Sequence, residues 1–588
     1  MKKMNAFVLA LVFCLLLIAF KLNNTVEFLN IDSQNIEIIN KVKVVQVEVD
    51  GRNGVMKIEV KATPNRIEEI NIIEHRETTG VTDLALEEMP NRIKLEQSIK
   101  VDIVSGSTIT CNAIILGVEN ALIDMGYDLS KFDNTIKREL IESPTESTDI
   151  IIIGAGLSGL MSGIELTKNY PDINFIILEQ LPFMGGSLSL TGGSMFALNS
   201  KYHVEQAKVS TVNDVVEYFK SSSKQNLNEN LIRNVFAISG ETFDWIADMG
   251  NNFEKELVPS TIHSDKLYVG WTEGRTSGGG ARIYHTISKY IYNLKMDVRL
   301  DSKVTELIIE NGAVVGVKVE DNEKKYDIMG KAVLLQTGGF GNSREMMKKY
   351  ALKYSKGVKD VNVGANGDGF KFVEQFGTNI VGDGTMGTFY TKELKEVEIV
   401  PFMVNSKSKR FVNETEQAFR IQRIMADETD GNMFLITDSK YKNLDAIEKQ
   451  VKQGIYKKYD SLQDLAKDLK LDENMLLNEI EKYNKAVENN KILGFGLQGE
   501  KAHPIKEAPF YGVHTVIRTF ATIPGIEINA DMQVLDKDRN IIPNLYAAGE
   551  LTAGNAFSYQ YPGEGMGISY ASNSGRLAAM RAAEYISK

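Results

Sequence analysis

The sequence has only two cysteines, Cys14 and Cys111, among 588 residues. Two thiols are too few for a disulfide framework, a four-cysteine zinc site or a cysteine-ligated iron–sulfur cluster. The six histidines occur without a CxxCH motif, which excludes an attached c-type haem. If the protein transfers electrons, the sequence therefore predicts an organic cofactor.

The chain also lacks an excess of positive charge, because 67 Lys and Arg face 78 Asp and Glu and the net charge is −11. Without such an excess the protein cannot readily displace the counterions of a nucleic acid, so no general affinity for nucleic acid is expected. Prolines number 12 and glycines 48, which indicates that the glycines serve binding turns rather than linkers. Hydrophobic residues at 43% and charged residues at 25% are typical of a globular protein of several domains.

An uncharged run from Phe7 to Phe20 follows two N-terminal lysines. A basic flank before a short apolar core is typical of a secretory signal, and the run is shorter than the roughly 17–25 residues that span a bilayer. We expect residues 1–24 to be an uncleaved anchor in the cell membrane, because no A-x-A-like cleavage site follows. A cleaved signal and a lipoprotein signal at Cys14 are the alternatives. The positive flank predicts an extracytoplasmic catalytic part.

A glycine-containing turn, Ser105-Gly106-Ser107-Thr108, precedes a predicted helix from Cys111 to Met125. Backbone N–H groups at a helix N-terminus suit a phosphate, and Thr108 offers a hydroxyl there. The alternative interpretation is an ordinary helix N-cap, for which Ser and Thr are common.

The stretch from Arg66 to Gly126, with IEHRETTGVTDLALEEMPNRI and the turn just described, resembles the FMN-binding domain of the Na⁺-pumping NADH:quinone reductase and related electron carriers. The resemblance implies a phosphoester between FMN and Thr108, installed by a separate flavin transferase. Asp102, Ser105, Gly106 and Ser107 complete the implied motif. Ala is commoner than Ser at position 107 in that family.

The segment DIIIIGAGLSGLMSGIEL carries Gly154, Gly156 and Gly159 in GxGxxG spacing, between an apolar strand and a helix. Such glycines allow a tight turn, close approach of a pyrophosphate and close packing of helix on strand. The next strand, NFIILEQ, ends at Glu179, whose carboxylate suits a ribose. NAD fits this pattern as well as FAD, but three more segments favour FAD: GGSLSLTGGSMF, KAVLLQTGGFG and PNLYAAGELTAGN.

Together these segments resemble the fumarate reductase/succinate dehydrogenase flavoprotein family from Thr148 to Lys588. The resemblance implies non-covalent FAD along the sheet, with Glu550 on its ribityl chain, and an inserted capping domain that closes over the substrate. The predicted FAD-binding residues are Gly154, Gly156, Ser158, Gly159, Glu179, Gln180, Gly185, Gly186, Ser187, Gly192, Gly193, Thr337, Gly338, Gly339, Asp368, Gly549, Glu550, Gly567 and Ile568.

An FMN-binding domain fused ahead of this flavoprotein resembles the layout of urocanate reductases and related extracytoplasmic respiratory reductases. The order implies electron flow from a membrane donor through FMN and FAD to a small-molecule substrate. The predicted fold combines α/β and α+β domains, the FAD domain being Rossmann-like with a mixed sheet. The predicted boundaries are a signal anchor (1–24), a spacer (25–45), a small α+β FMN-binding domain (46–130), a charged helical linker (131–147), the FAD-binding domain (148–380 and 509–588) and an inserted α+β capping domain (381–508).

Fumarate reductases bind a dicarboxylate and donate a proton through five segments that all differ here. An unpaired anion in a closed pocket is costly, so we expect a substrate without a carboxylate. The residues that stand at these places are Gly387-Thr388-Phe389, Glu396-Val397-Glu398, Ala418, Phe520-Ala521 and Gln560-Tyr561-Pro562-Gly563-Glu564.

The segment SYQYPGEGMG resembles the Tyr-Pro-Gly-x-Gly segment of 3-ketosteroid Δ1-dehydrogenases. The resemblance implies that the Tyr561 hydroxyl and the Gly565 N–H hold a ketone oxygen, in the manner of an oxyanion hole. The tyrosine base of those enzymes falls on Ala418 here. Candidate proton donors are therefore Arg420, Arg423 and Tyr390.

The favoured hypothesis is an ene-reductase that reduces an activated C=C bond in a neutral enone such as a 3-ketosteroid. Three alternatives remain open: a reductase of an unsaturated carboxylate of the urocanate, cinnamate or fumarate type, an electron carrier to a partner protein, and a ketosteroid dehydrogenase that feeds the quinone pool.

Overall fold

The structure, a computed structural model, describes residues 42–51, 55–75, 77, 82–101, 108–133, 140–223, 227–274, 278–359, 361, 364–389, 401–491, 494–497 and 502–588. The predicted anchor, Asp102 to Ser107, Tyr390 and Glu396 to Glu398 lie outside these ranges. Within them, no helix is long and apolar enough to cross a membrane. The chain divides into two compact units, residues 1–138 and 139–588, and the division falls inside the predicted linker.

In its described residues, the first unit contains a three-stranded antiparallel sheet and two α-helices. Strand β2 alternates buried and partly exposed residues, the period-two pattern of a strand with one face on a core. Ile58 and Ile114 are fully buried in this core. The elements are β1 (Lys43–Asp50), β2 (Val55–Thr63), β3 (Arg66–Glu74), α1 (Asp83–Glu96) and α2 (Thr108–Asp124).

The predicted helical linker is wrong over its described second half. Residues Ile141–Glu142 form a short strand, β4, that pairs with Lys324–Lys325, and the following strand, β5, already begins at Glu146. The polar residues at the start of β5 also pair with the strand that contains Lys324 and Lys325, since Glu146 pairs with Ile328. Pairing with a distant edge outweighs the local helical composition.

The second unit is built on a nine-stranded mixed sheet that holds the predicted dinucleotide turn. Four consecutive isoleucines, 150–153, form the C-terminal half of β5. This half has parallel neighbours on both sides, so its burial does not alternate. The strands are β10 (Val298–Arg299), β6 (Phe175–Leu178), β5 (Glu146–Ile153), β13 (Lys324–Leu335), β12 (Ala313–Glu320) and β11 (Lys303–Glu310) in spatial order, with β4, β22 (Gln533–Leu535) and β23 (Ile541–Ala547) off this path.

The C-terminal helix packs against this sheet and against the helix of the dinucleotide turn. A small sheet of β7 (Ser194–Phe196), β9 (Tyr268–Trp271) and β8 (Val258–Pro259) lies beside them. The helices are α3 (Leu157–Asn169), α4 (Lys201–Glu205), α5 (Val212–Ser222), α6 (Glu229–Ala237), α7 (Ser239–Asp248), α8 (Gly279–Leu294), α9 (Arg344–Tyr350), α10 (Asp368–Val373), α15 (Gly554–Phe557) and α16 (Met566–Ile586).

The capping segment has a core of its own around Phe402, Ile436 and Leu476. Its strands pair with β20 (Phe510–Thr522), which lies beyond the predicted boundary at 508 and joins the cap to the FAD domain in one strand. The remaining elements are β14 (Val358–Lys359), β15 (Ile380–Val381), β16 (Thr385–Phe389), β17 (Phe402–Val404), β18 (Asn432–Thr437), β19 (Lys457–Tyr459), β21 (Gly525–Ile526), α11 (Ala418–Glu428), α12 (Leu444–Lys452), α13 (Leu462–Asp468) and α14 (Glu473–Glu488).

Candidate active site

The GxGxxG turn joins β5 to α3, and each of its three glycines is suited to its position for a different structural reason. Gly154 has φ +107°, and a Cβ there would lie 2.3 Å from the Gln336 carbonyl oxygen. A Cβ on Gly159 would lie 1.9 Å from the Gly154 oxygen, so helix and turn pack in direct contact. Gly156, in contrast, has no atom within 4 Å of a built Cβ. The free space at Gly156 is where a pyrophosphate approaches such a turn.

Glu179 stands at the end of β6 beside this turn. Its Oε2 accepts from the Ala155 N–H at 2.9 Å and its Oε1 accepts from the Leu181 N–H at 3.0 Å. Burial raises the pKa of Glu179, and these backbone hydrogen bonds oppose the shift. The carboxylate is therefore held at a defined place with lone pairs left for a ribose.

Two buried hydroxyls beside the turn have no hydrogen-bond partner among the described residues: Ser158 Oγ and Thr337 Oγ1. Orphaned buried hydroxyls are rare in folded proteins and call for a partner. Gly338, next to Thr337, has φ +74° and open space at its Cβ position. The residues present therefore fit a polar group such as the pyrophosphate of FAD.

Glu550 is the acid predicted for the ribityl chain of FAD, and Thr522 holds its carboxylate. Its Oε1 accepts from the Thr522 N–H at 2.8 Å and from the Thr522 hydroxyl at 2.9 Å. Burial raises its pKa, and the two hydrogen bonds oppose that shift. A Cβ on Gly339 would lie 1.9 Å from the same oxygen, so Gly339 is required for this approach.

The other predicted FAD residues lie in several loops and helix starts of the second unit. Gly185 donates to the Ala155 carbonyl at 2.7 Å and bridges to Gly156, so the loop that begins at residue 185 lies on the GxGxxG turn. Gly186 and Ser187 lie in the 3₁₀ turn 186–190, and Gly567 and Ile568 lie in the first turn of α16. Gln180 donates to the Gly364 carbonyl, the Gly549 N–H donates to the Ser574 hydroxyl, and Asp368 forms an ion pair with Lys371. Gly192 and Gly193 lie against Trp271 and Gly279.

Replacing Gly156 with Ala is expected to remove FAD without unfolding the protein. The φ of Gly156 is −72°, which Ala adopts freely, and no protein atom opposes the new methyl group. The methyl group instead takes the space required by the pyrophosphate. Flavin absorbance after desalting and the melting temperature measure the two effects.

The matched control is Gly154→Ala, where both the +107° φ and the Gln336 oxygen oppose a Cβ. That variant is expected to lose melting temperature as well as FAD. Retention of FAD by Gly156→Ala would show that the cofactor does not use this turn.

Tyr561 lies before the N-terminus of α16, with its hydroxyl at the helix start. The hydroxyl accepts from the Gly567 N–H at 3.0 Å, so its own proton is free for an acceptor. Burial raises the pKa of Tyr561, and the Gly567 hydrogen bond opposes this shift. The hydroxyl is thus a neutral donor at physiological pH. The sequence pointed to Gly565 as its companion and did not reveal the contact with Gly567.

Gly565 serves as the helix N-cap with φ +72°, where a Cβ would lie 2.6 Å from the Phe196 nitrogen. Its carbonyl accepts from Phe196 at 3.1 Å and from Ser569 at 3.1 Å. No acceptor for the Gly565 N–H is found in the part of the chain that the structure describes. A second donor is therefore available at the same helix start.

The surroundings of Tyr561 are apolar. Phe419 and Phe557 meet its ring edge-to-face at centroid distances of 5.5 Å and 5.9 Å. A Cβ on Gly567 would lie 3.6 Å from the Met386 sulfur. Met386 pairs with Ala521 between neighbouring strands. This pairing brings two of the segments that differ from fumarate reductases, 387–389 and 520–521, next to the site. Ala418 begins α11, directly before Phe419.

The candidate proton donors differ in their contacts. Arg423 is engaged with Asp383, Asp427 and the Tyr559 carbonyl. The buried Nε of Arg420 has no partner among the described residues. Tyr390 is outside those residues. Because Arg423 is already engaged and the Arg420 Nε is not engaged by any described residue, we favour Arg420 as the candidate proton donor.

Thr108 is the first residue of α2, so the proposed attachment point begins a helix of 17 residues. Ser105, Gly106 and Ser107 lie outside the described residues. Two residues further on, the Thr110 hydroxyl donates to the buried Glu77 carboxylate. This contact ties the loop after β3 to the start of α2.

The fold and the site define a flavin-dependent oxidoreductase with two flavin-binding domains. The chain belongs to the FAD binding domain family, which matches residues 149–568, more than half of the chain. An FMN-binding domain matches residues 51–123. These matches confirm the predicted cofactors, FAD and FMN, and the predicted resemblance to reductases of the fumarate and urocanate type.

Three curated relatives are NADH:acrylate oxidoreductase of Vibrio harveyi (25% identical), urocanate reductase of Eggerthella lenta (26%) and vinyl phenol reductase of Lactiplantibacillus plantarum (26%). The alignments cover 86%, 85% and 75% of this chain and 58%, 86% and 97% of those proteins. The chain thus spans little more than half of the acrylate oxidoreductase.

Solved structures share the fold over three quarters of this chain. An open flavocytochrome c3 fumarate reductase superposes with a TM-score of 0.61 at 24% identity, covering 75% of this chain and 79% of that one. The 3-ketosteroid Δ1-dehydrogenase of Sterolibacterium denitrificans gives 0.65 at 16%, covering 75% and 100%. These likenesses confirm the predicted mixed α/β multidomain fold.

Proposed function

We propose that the protein reduces an activated C=C bond conjugated to a ketone or another neutral acceptor, such as the enone of a 3-ketosteroid. The observation that carries this proposal is the Tyr561 hydroxyl, which accepts from Gly567 and so keeps its proton for a carbonyl oxygen. FAD, when bound, supplies the hydride. The chain's own part is to bind the substrate, polarise it and exclude water.

The Tyr561 hydroxyl and Gly565 both lie at the start of α16, where the helix dipole favours negative charge. Charge that develops on the oxygen of an enone during reduction is stabilised there more than the neutral ground state is. The buried Phe419 and Phe557 lower the local dielectric and so strengthen this effect. The same apolar walls disfavour a free carboxylate.

Arg420 is proposed as the group that protonates the α carbon, because its buried Nε lacks a protein partner in the described residues. The same observation supports a second candidate function, the reduction of an unsaturated carboxylate. An unpartnered guanidinium is a binding group for a carboxylate. The urocanate and acrylate relatives are named for substrates of that kind.

A reoxidation screen separates the two functions. The full chain, produced with its flavin transferase and reduced with viologen, is mixed with fumarate, urocanate, a cinnamate, and Δ1 and Δ4 3-ketosteroids one at a time. Fast reoxidation by a ketosteroid or another enone is the expected result. Fast reoxidation by a carboxylate alone would contradict the neutral-enone proposal and assign Arg420 to anion binding. No reoxidation by any alkene would favour an electron carrier.

The proposed electron route leads from a membrane donor to FMN on Thr108, then to FAD and the substrate. It is supported by the order of the two domains, 51–123 before 149–568. We place the catalytic part outside the cell membrane, held by residues 1–24, on the basis of the lysines that flank the apolar run. Protease accessibility of the flavin domains in intact spheroplasts tests this placement.

A further inference from the structure

Arg423 of α11 connects the capping segment to the loop that carries Tyr561. Its side chain is only 8% exposed. Nη2 donates to Asp383 at 3.0 Å and Nε donates to Asp427 at 3.1 Å. Nη1 donates to the Tyr559 carbonyl at 3.1 Å, and the guanidinium carbon lies 3.5 Å from the centre of the Tyr559 ring. One arginine therefore holds two carboxylates, a carbonyl and a ring.

The turn that this arginine contacts has a strained backbone. Ser558 has φ 57° and ψ −70°, a combination outside the allowed regions for a residue with a Cβ. Its carbonyl accepts from the Asp383 N–H at 2.7 Å. Such conformations persist only where the surroundings impose them, and they concentrate at functional sites.

Asp427 supplies a second connection to the same turn. It accepts from the Tyr559 hydroxyl at 2.8 Å and pairs with Lys353 at 2.5 Å. Arg423 and Asp427 are one helical turn apart on α11. The carbonyl, ring and hydroxyl of Tyr559 are therefore all fixed from a single helix of the cap, two residues before Tyr561.

We propose that Arg423 is a positioning residue for Tyr561. By holding the Ser558–Tyr559 turn against α11, it sets the place of the Tyr561 hydroxyl relative to the substrate oxygen. The inference rests on the proposed function, in which Tyr561 polarises an enone. It gives Arg423 a role different from the proton donor that the sequence suggested.

A double-mutant cycle on the full flavinylated chain tests the role. Arg423→Gln is expected to lower kcat about 10- to 100-fold with little change in KM, because misplacement of a catalytic group by about 1 Å has effects of that size. In the Tyr561→Phe background the same change is expected to add almost nothing, since residues that act as a unit are not additive. If the loss of kcat in the double variant equals the product of the losses in the two single variants, the inference is overturned.

Hydrogen–deuterium exchange provides a readout that needs no substrate. Arg423→Gln is expected to speed exchange in the peptide covering 557–565, whereas Arg539→Gln, which removes an exposed arginine paired with Glu527, is the control expected to leave it unchanged. Unchanged exchange in Arg423→Gln would overturn the inference. If Tyr561→Phe leaves kcat intact, the proposed function fails, while the exchange result still decides whether Arg423 orders the loop.

Arg423→Lys addresses the risk that the glutamine variant does not fold. Lysine keeps the positive charge beside Asp383 and Asp427 but lacks the planar fork that reaches both carboxylates and the Tyr559 carbonyl together. We expect wild-type FAD content with a smaller loss of kcat and the same non-additivity with Tyr561→Phe. Full activity and wild-type exchange in this variant would show that charge alone suffices and would contradict positioning.

Discussion

Replacing Thr108 with Ala is expected to abolish covalent FMN attachment while FAD remains bound. Attachment requires the threonine oxygen as one atom of the phosphoester, so its removal leaves no residual route through this residue. Thr108 belongs to the first unit and the predicted FAD site to the second, so each cofactor is lost independently. Flavin fluorescence on a denaturing gel and the intact mass measure attached FMN, and absorbance of the flavin released by denaturation measures FAD.

The control for this prediction is Ser107→Ala, because Ala is the commoner residue at that place in the related FMN-binding domains. This variant is expected to carry covalent FMN in full. If the Thr108→Ala protein still shows a fluorescent band, FMN is attached elsewhere and the assignment of Thr108 is wrong. Reduction of FAD directly by viologen is expected to support turnover in Thr108→Ala. Electron supply to FAD through the FMN of the first unit is expected to stop in this variant.

The dinucleotide turn was predictable because all its determinants are close in sequence. An apolar strand, three glycines at fixed spacing and an acid at the end of the next strand occur within residues 149–180. Gly154 and Gly159 show why the pattern is specific, since a side chain at either would meet backbone atoms of the same turn or its neighbour. Local patterns of this kind fix local backbone geometry.

Long-range pairing accounts for what the sequence did not reveal. Residues 141–147 have a helical composition, but Ile141–Glu142 pairs with a strand edge at Lys324–Lys325. Glu550 was identified, whereas Thr522, which holds it from 28 residues away, was not. No sequence period links such partners, because they are brought together by the fold alone.

Arg423 illustrates the same limit within the candidate site. From the sequence, Arg423 was one of three candidate proton donors, because it lies near the position of a missing acid group. Its contacts with Asp383 and the Tyr559 carbonyl, 40 and 136 residues away, give it a different role. Tyr561 was found from its motif, but its contact with Gly567 depends on how α16 begins.

Replacing Tyr561 with Phe is expected to lower kcat for an enone about 10²- to 10³-fold, the usual cost of losing one oxyanion donor, about 3–4 kcal/mol. The ring and its contacts with Phe419 and Phe557 are retained, so KM and FAD content change little. Wild-type kcat is expected to show no loss near pH 10, the ordinary tyrosine pKa, because burial raises the pKa of Tyr561 and keeps its hydroxyl protonated. Reoxidation of the viologen-reduced enzyme across pH measures both effects.

Tyr570→Phe is the matched control. Tyr570 is also a buried tyrosine that contacts Phe557, but its hydroxyl bonds to Thr552 instead of the start of α16. Its removal is expected to cost about 1 kcal/mol of folding free energy, the usual net value of a hydrogen bond, with kcat nearly unchanged. Equal losses of kcat in the two variants would mean that both act through packing around Phe557. A selective loss in Tyr561→Phe is the result that assigns the hydroxyl to the carbonyl oxygen of the substrate, because only that hydroxyl shares the helix start with the Gly565 N–H.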